Sequence, residues 1–361
     1  MEPDRAAVRE GASRWDQIIP IIERGTRFLI TGHEHADGDA LGSQLALAWF
    51  LTQKGKNVRA VNCDEPQRLL RFIDPDRTVE VYPPGGGAEW IGPCDAWFVV
   101  DTCALLRIGA MGELVPALPC PKITIDHHVF AEEEAFADIN IIDERAVATG
   151  MLIHDLGRAL GCALDRRIAL ALYVAIYTDS GGFIYTKISP ETHRIIAELM
   201  EAGVKPYEVF DKLFQTHTAP EAALFGKALN SLRLEHGGRI AWITVTSRMY
   251  DASGADPEAS ENYLMNYVRA IRTVELVVLL RQVPEGRVKV SFRSKNFFRV
   301  NDLARVLGGG GHWLAAGAVV EGSLPRVLEK VKAAVTREWR RQWKEWRKAG
   351  VVSAEGPSPG G

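Results

Sequence analysis

Residues 32–43 read Gly32-His33-Glu34-His35-Ala36-Asp37-Gly38-Asp39-Ala40-Leu41-Gly42-Ser43. The apolar run 27–31 before them predicts a buried strand, and residues 44–53 after them predict a helix. One imidazole and two carboxylates, those of His33, Asp37 and Asp39, lie on a glycine-containing turn and can converge on a small hard cation. The same turn could instead only cap the following helix. Further ligands elsewhere in the chain decide between these two interpretations.

The bulk composition limits the classes of protein that need to be considered. The chain has 361 residues, enough for two domains with separate cores. A formal net charge of -3 argues against a whole surface that binds nucleic acid, so a polyanion site would be a local basic patch. Five cysteines without a C-x-x-C pair favour reduced thiols over a disulfide framework or a zinc-thiolate site. No apolar signal region or run of about 20 apolar residues is evident, so we expect a cytoplasmic protein with no membrane partner.

Polar side chains also follow later apolar segments. Two runs that predict buried strands of a largely parallel sheet end in Asp101 and in Asp126-His127-His128. Ligands of such sheets lie beyond the carboxyl ends of the strands, which favours one shared site. A predicted helix over 165–178 is followed by Asp179, which taken alone is more typical of a turn or cap.

These positions together supply four carboxylates and two imidazoles: His33, Asp37, Asp39, Asp101, His127 and Asp179. Clustered carboxylates repel one another and raise each other's pKa, and two divalent cations would relieve that repulsion. Oxygen and nitrogen ligands without thiolate favour Mn(II), with Mg(II), Co(II) or Fe(II) as alternatives. A pair of such ions suits phosphoester hydrolysis.

Four segments resemble the motifs of the DHH phosphoesterase family: His33-x-x-x-Asp37-x-Asp39, Val100-Asp101-Thr102, Asp126-His127-His128 and Tyr177-Thr178-Asp179-Ser180-Gly181. The resemblance implies that one metal is held by His33, Asp37 and Asp101. It implies that the second metal is held by Asp39, His127 and Asp179, with Asp101 bridging the two. Catalytic roles are implied for Asp101, for His128, which would face the scissile phosphate, and for Asp126, which would support the imidazoles.

The second half of the chain predicts another sheet, with strands over 240–246, 274–282 and 288–293. By composition, the glycines at 308–311 read as a flexible loop, or alternatively as bare backbone that can approach a phosphate. Together with segments near Arg293 and Asn301, this stretch is similar to the DHH-associated C-terminal domain of the same family. The resemblance implies that a terminal nucleotide is held by Arg293, Ser294, Lys295, Asn301, Gly309, Gly310, Gly311 and His312.

The predicted architecture is α/β with two domains. A mainly parallel-sheet DHH domain that binds two metals is expected over 14–190, followed by a helical connector over 191–232 and a smaller α/β substrate-binding domain over 233–325. A basic helix is predicted over 326–349 and a disordered tail over 350–361. That helix has nine Lys or Arg against three Glu from 326 to 348, with Trp339, Trp343 and Trp346 on one face. Packing of this face on the body is favoured, and an accessory surface for single-stranded nucleic acid is the alternative.

The resemblance extends to the compact members of the family that degrade very short RNA. It implies a metal-dependent phosphodiesterase and exoribonuclease that hydrolyses dinucleotides such as pApA or pGpG to mononucleotides, with two divalent cations, most simply Mn(II) with Mg(II) or Co(II) as alternatives. The alternative activity is a 3'-phosphoadenosine 5'-phosphate phosphatase, alone or as a second activity. A catalytically idle nucleotide-binding module is the alternative from another class. Expected partners are short RNA, a dinucleotide or the bisphosphate, and a homodimer is left open.

Overall fold

The computed structural model describes residues 13–129, 135–184, 187–256, 262–311 and 313–348. His312 and the tail predicted over 350–361 therefore lie outside the described residues. The chain divides into two compact units, one up to Thr216 and the other from His217 onwards. Each unit has its own sheet.

The first unit is built on a parallel sheet of six strands: β1 (Arg27–Thr31), β2 (Asn57–Asn62), β3 (Val79–Val81), β4 (Ala96–Val100), β5 (Lys122–Asp126) and β6 (Ile139–Ile142). The strand order is β3-β2-β1-β4-β5-β6, and every neighbouring pair is parallel. Alternate residues of β1 enter two cores, Phe28 on one face and Leu29 on the other. Because both faces are covered, the strands read as continuous apolar runs. The predicted parallel α/β class is confirmed, and the strand order reverses between β1 and β4.

Helices cover this sheet: α1 (Ile19–Arg24), α2 (Gly38–Gln53), α3 (Ala88–Ile91), α4 (Thr149–Ala159), α5 (Arg166–Asp179), α6 (Pro190–Glu201) and α7 (Pro206–Phe214). Two 3-10 helices, Arg68–Ile73 and Leu105–Leu114, lie in the connections. Helices α2 and α5 are in close contact, since a Cβ atom on Gly42 would lie 2.4 Å from the carbonyl oxygen of Ala171. A Cβ atom on Gly38 would similarly lie 2.4 Å from Oγ1 of Thr178. The start of α2 is therefore held beside the end of α5.

The second unit has a mixed sheet of six strands: β7 (Arg233–Glu235), β8 (Ile240–Val245), β9 (Leu276–Val283), β10 (Arg287–Ser294), β11 (Gly310–Gly311) and β12 (Ala315–Glu321). Their order is β11-β12-β10-β9-β8-β7; β8 and β9 are parallel and the other neighbours antiparallel. The helices are α8 (Ala219–Leu229), α9 (Ser247–Ser253), α10 (Asn262–Arg269), α11 (Val300–Val306) and α12 (Leu324–Lys348). Among the described residues, no helix combines the length and the apolar character needed to cross a bilayer.

Two short strands give no local signal in the sequence. Residues 64–90 contain β3 at the edge of the first sheet, a strand too short to give a period-2 pattern. The glycines at 310–311 do not form a flexible loop, because Gly310 pairs with Gly317 and Gly311 with Ala316. A Cβ atom on Gly309 would lie 2.1 Å from the carbonyl oxygen of Gly317, so this backbone approach requires glycine.

The basic helix begins at Leu324, two residues before the predicted start. The packing interpretation of its aromatic face is confirmed, because Trp339 and Trp346 are buried and Trp343 packs against the same core. Trp339 stacks on Phe298 with ring centroids 5.5 Å apart.

Candidate metal centre

The predicted metal-ligating and catalytic side chains come together at the carboxyl end of the first sheet. His33 follows β1, Asp101 follows β4, and the Asp126-His127-His128 segment ends β5, so the site lies where the strand order reverses. Three overlapping groups of side chains could each hold a metal ion: Asp101 with Asp126, His127 and His128; His33 with Asp37 and Asp101; and Asp39 with His127 and Asp179. Within each group the ligand atoms lie within 4.8 Å of one another.

The first half of the centre surrounds His33. Its Nε2 lies 3.5 Å from Oδ2 of Asp101 and 3.9 Å from Oδ1 of Asp37. Nδ1 of His33 donates to the carbonyl oxygen of Glu34 at 2.8 Å, which leaves the lone pair on Nε2 facing the carboxylates. Burial lowers the pKa of His33, which favours the neutral ring that a metal requires.

Asp37 both caps the helix that follows it and faces the candidate metal centre. It is the N-cap of α2, and its Oδ1 accepts from the backbone N–H groups of Asp39 and Ala40 at 3.0 and 3.1 Å. The same carboxylate faces His33, and its side chain is 54% exposed. Capping therefore fixes the carboxylate in the position from which it can reach a cation.

The second half of the centre surrounds His127. Its Nε2 lies 3.3 Å from Oδ2 of Asp179 and 3.6 Å from both Oδ2 of Asp39 and Oδ1 of Asp101. Nδ1 donates to the carbonyl oxygen of Ala146 at 3.2 Å, and burial lowers the pKa of the ring to about 4. Nε2 is buried and has no hydrogen-bond partner among the described residues. A buried lone pair that faces three carboxylates fits a bound cation.

Asp101 occupies an uncommon backbone conformation. Its φ is +64°, in the left-handed region, and its N–H donates to the carbonyl oxygen of Ile125 at 3.0 Å. Oδ1 accepts from the hydroxyl of Thr149 at 2.9 Å. The turn after β4 thus directs the carboxylate of Asp101 towards both His33 and His127.

The start of α4 supports Asp39 and was missed by the sequence analysis. Asp39 accepts from the backbone N–H groups of Thr149 at 2.6 Å and Gly150 at 2.9 Å, and from the hydroxyl of Ser43 at 3.0 Å. Free N–H groups at a helix start favour a carboxylate. Local sequence could have indicated that a helix begins near Thr149. It could not have indicated the contact with Asp39, which is 110 residues away in the chain.

Three buried carboxylates of the centre, those of Asp39, Asp101 and Asp179, bind protons more strongly than isolated ones. Burial, followed by repulsion from Asp101, raises the pKa of Asp39 well above its ordinary value. Burial and repulsion from Asp37 likewise raise the pKa of Asp101 well above its ordinary value and that of Asp179 to about 6. The donor set therefore fits divalent cations, which would neutralise this charge.

Asp126 and His128 form a separate pair beside the centre. Oδ1 of the fully buried Asp126 accepts from the N–H groups of His127 and His128 at 2.7 and 3.1 Å, and from Nδ1 of His128 at 2.8 Å. Burial opposes the ionisation of Asp126, but these hydrogen bonds keep its pKa below the ordinary value. The hydrogen bond to Asp126 raises the pKa of His128, whose side chain is 43% exposed.

Two cationic side chains near the centre were also missed. The charge of Arg107 adds to the burial that lowers the pKa of His33 and partly offsets the increase in the pKa of His128. The charge of Lys187 likewise adds to the burial that lowers the pKa of His127 and partly offsets the increase in the pKa of Asp179. The carbonyl oxygen of Arg107 accepts from the N–H of Glu34 at 2.7 Å, which ties its 3-10 helix to the loop after β1.

The predicted substrate-binding residues that the structure describes lie in the second unit. Arg293 and Ser294 end β10, Asn301 lies in α11, and Gly310 and Gly311 form the edge strand β11. Ser294 is buried and donates to Oε1 of Glu275 at 2.9 Å. Nζ of Lys295 donates to the carbonyl oxygen of Ile271 at 2.7 Å.

Comparisons with known proteins show which family the chain belongs to. Two family models match the chain, the DHH family N-terminal domain over residues 27–176 and the DHHA1 domain over residues 243–337. The bifunctional oligoribonuclease and PAP phosphatase NrnA of Thermus thermophilus is 33% identical over 333 residues, which are 89% of this chain and 93% of that protein. The Bacillus subtilis protein of the same name is 26% identical over 309 residues, 84% of this chain and 92% of that one.

A solved structure matches both units. The crystal structure of an exopolyphosphatase-related protein from Bacteroides fragilis has a TM-score of 0.82 and 27% identity, and the match covers 90% of this chain and 96% of that one. The family resemblance predicted from the four motifs is confirmed: this chain belongs to the DHH family, with its DHH domain in the first unit and its DHHA1 domain in the second.

Proposed function

We propose that this chain hydrolyses very short oligonucleotides to mononucleotides as a metal-dependent phosphodiesterase. Its family and its NrnA relatives make it a phosphoric ester hydrolase. The names of these relatives combine an oligoribonuclease with a PAP phosphatase. The observation that carries the proposal is Nε2 of His127, which is buried among three carboxylates and has no hydrogen-bond partner within the described part of the chain.

The donor atoms suggest how two cations would be shared. His33, Asp37 and Asp101 would hold one, and Asp39, His127 and Asp179 the other, with Asp101 common to both. Mn(II) suits this mixed nitrogen and oxygen set, with Mg(II) or Co(II) as alternatives. Two bound ions would supply an activated water and charge stabilisation at the phosphate.

His128 is the side chain of this region best arranged to act on the substrate itself. Asp126 accepts a hydrogen bond from Nδ1 of His128, which orients the ring and favours its charged form. Nε2 can then donate to a phosphate oxygen as negative charge develops in the transition state. Asp126 acts through His128 and is therefore a positioning residue.

For the second unit, we propose that Arg293, Asn301 and the Gly309–Gly311 backbone hold a terminal nucleotide. β11 is an edge strand whose two glycines are exposed, so one side of its backbone remains available for a phosphate or base. Ser294 and Lys295 would support this segment through Glu275 and Ile271 instead of touching the nucleotide.

A 3'-phosphoadenosine 5'-phosphate phosphatase activity is the second candidate, because both NrnA relatives carry it in their names. A panel of pApA, pGpG and the bisphosphate, assayed with Mn²⁺ and with Mg²⁺, tests both. We expect the highest kcat/KM on a dinucleotide with Mn²⁺. A higher kcat/KM on the bisphosphate would reverse the order, and nucleotide binding without divalent metal or turnover would favour the idle binding module. A cytoplasmic location and a homodimer stay predictions.

A further inference from the structure

The exposed side of α12 carries a continuous row of cations. Seven exposed basic side chains recur at intervals of three, four or seven residues: Arg326, Lys330, Arg337, Arg340, Arg341, Lys344 and Lys348. Such intervals place them on one side of a helix, and we refer to these seven residues as the basic face. At a rise of about 1.5 Å per residue, the basic face extends over roughly 33 Å.

Most of this charge is not neutralised within the protein. Arg341 pairs with Asp302, Glu338 and Glu345 at 2.9, 2.8 and 3.0 Å. The other six members of the basic face have no ion pair with any residue in the described part of the chain. Like charges at helical spacing repel one another, so a helix needed only for packing gains nothing from this arrangement.

The opposite side of α12 is fully used for packing. Val327, Val331, Val335, Trp339 and Trp346 are all buried in the core of the second unit. Trp339 and Trp346 therefore cannot stack on bases, and the half-buried Trp343 packs against the same core and lies under the guanidinium of Arg239. This packing leaves no apolar side of α12 to enter a lipid surface. The exposed side offers charge alone.

We propose that the basic face of α12 binds the phosphate backbone of single-stranded RNA longer than the dinucleotide substrate, without reading its bases. An extended row of unpaired cations complements a chain of regularly spaced negative charges better than it does one compact anion. The proposal rests on the proposed function, because the choice of RNA as the polyanion follows from the proposed oligonucleotide substrate. It adds a second RNA-binding surface to the one at the site of cleavage.

The test compares two triple variants of the full chain. Arg337→Gln, Arg340→Gln and Lys344→Gln together remove three charges of the basic face. The matched control, Lys227→Gln, Arg248→Gln and Arg269→Gln, removes three charges from α8, α9 and α10. Fluorescence anisotropy measures binding of a labelled RNA of about 24 nucleotides in EDTA, where no cleavage occurs, as a function of salt. The kcat/KM on pApA with Mn²⁺ is measured separately.

We expect the basic-face variant to bind the long RNA about tenfold more weakly at low salt, with a slope of log K against log salt smaller by about 2. The control variant should match the wild type, and all three proteins should cleave pApA equally. Equal binding of long RNA by both variants would overturn the inference while leaving the proposed function intact. RNA binding that depends on the basic face, in a protein that cleaves no dinucleotide, would support the inference and overturn the function.

A vesicle assay separates RNA from lipid as the partner. Sedimentation with vesicles of phosphatidylserine and phosphatidylcholine should leave all three proteins in the supernatant, because no apolar face is free. Vesicle binding that the basic-face variant loses, with RNA binding unchanged, would overturn the inference in favour of a membrane surface.

Discussion

Asp101 faces both halves of the candidate centre from a left-handed backbone conformation, with φ of +64°. We predict that Asp101→Asn keeps this conformation, because asparagine tolerates it, and lowers kcat/KM on pApA by at least about 100-fold. The metal-free variant should be at least as stable as the wild type, since it lacks one of the repelling buried carboxylates. Thermal unfolding with and without Mn²⁺ should show that the stabilisation by metal is lost. Turnover near that of the wild type would contradict the role given to Asp101.

Thr149 holds two ligand residues at once, through its hydroxyl to Asp101 and its backbone N–H to Asp39. Thr149→Val removes only the hydroxyl and retains the shape of the side chain. We expect Mn²⁺ affinity, measured by calorimetry, to fall about 10- to 100-fold, as for other residues that orient metal ligands. Thr149→Ser keeps the hydroxyl and should restore most of the affinity. Equal losses in both variants would mean that the methyl packing matters, and not the hydrogen bond.

The raised carboxylate pKa values give metal binding a defined pH dependence. In the metal-free protein, the pKa of Asp179 is about 6 against an ordinary value of 3.8. Its protonated form therefore favours folding at low pH, and that contribution is lost as the pH rises from about 4 through 6. Metal must displace the proton, so Mn²⁺ affinity and the gain in Tm on adding Mn²⁺ should both increase between about pH 5 and 7. Calorimetry in buffers of different ionisation enthalpy should detect proton release when Mn²⁺ binds. If no proton were released at pH 5.5, Asp179 would not be a metal ligand.

The contact between α2 and α5 places Asp39, near the start of one helix, beside Asp179 at the end of the other. Gly42 permits that contact, because its Cβ would lie 2.4 Å from a backbone oxygen of α5. We predict that Gly42→Ala lowers the free energy of unfolding by about 1–3 kcal/mol and weakens metal binding by separating the helices. Gly226→Ala in α8 is the control, since its Cβ would meet nothing within 4 Å and alanine favours helix by up to about 1 kcal/mol. Urea titrations compare the two, and a neutral Gly42→Ala would show that α5 can move away freely.

The elements that could be predicted from sequence are those whose signal is local. β1, β4 and β5 are buried on both faces and end in polar residues, so their apolar runs and the ligands beyond them can be read directly. β3 has three residues and gives no pattern, and the Gly310–Gly311 strand is visible only once β12 is paired with it. The support given by Thr149 to Asp39 likewise depends on packing between distant segments. The order of the motifs thus identifies the candidate ligands, whereas the residues that orient those ligands can be identified only from the folded structure.

The division of the chain into two units predicts where metal should act. All of the proposed ligands lie before Thr216, whereas the proposed nucleotide-holding residues lie after it. At about 100 times its dissociation constant, a metal that binds only the folded state stabilises it by about 2.7 kcal/mol. Hydrogen exchange with Mn²⁺ and with EDTA should therefore differ in the first unit, most of all at the ends of β1, β4 and β5 and at the facing ends of α2, α4 and α5.

Strands β8 to β10 provide the internal control for that experiment, because they belong to the second unit and contain no proposed metal ligand. Their protection should be the same with and without Mn²⁺. Adding a non-hydrolysable dinucleotide should instead slow exchange in Gly309–Gly311 and at the end of β10, where Arg293 lies. If Mn²⁺ alone protected β8 to β10 as strongly as β1, the assignment of the metal to the first unit would be wrong. If the dinucleotide protected neither segment of the second unit, the role given to Arg293 and the glycines would fail while the metal centre stood.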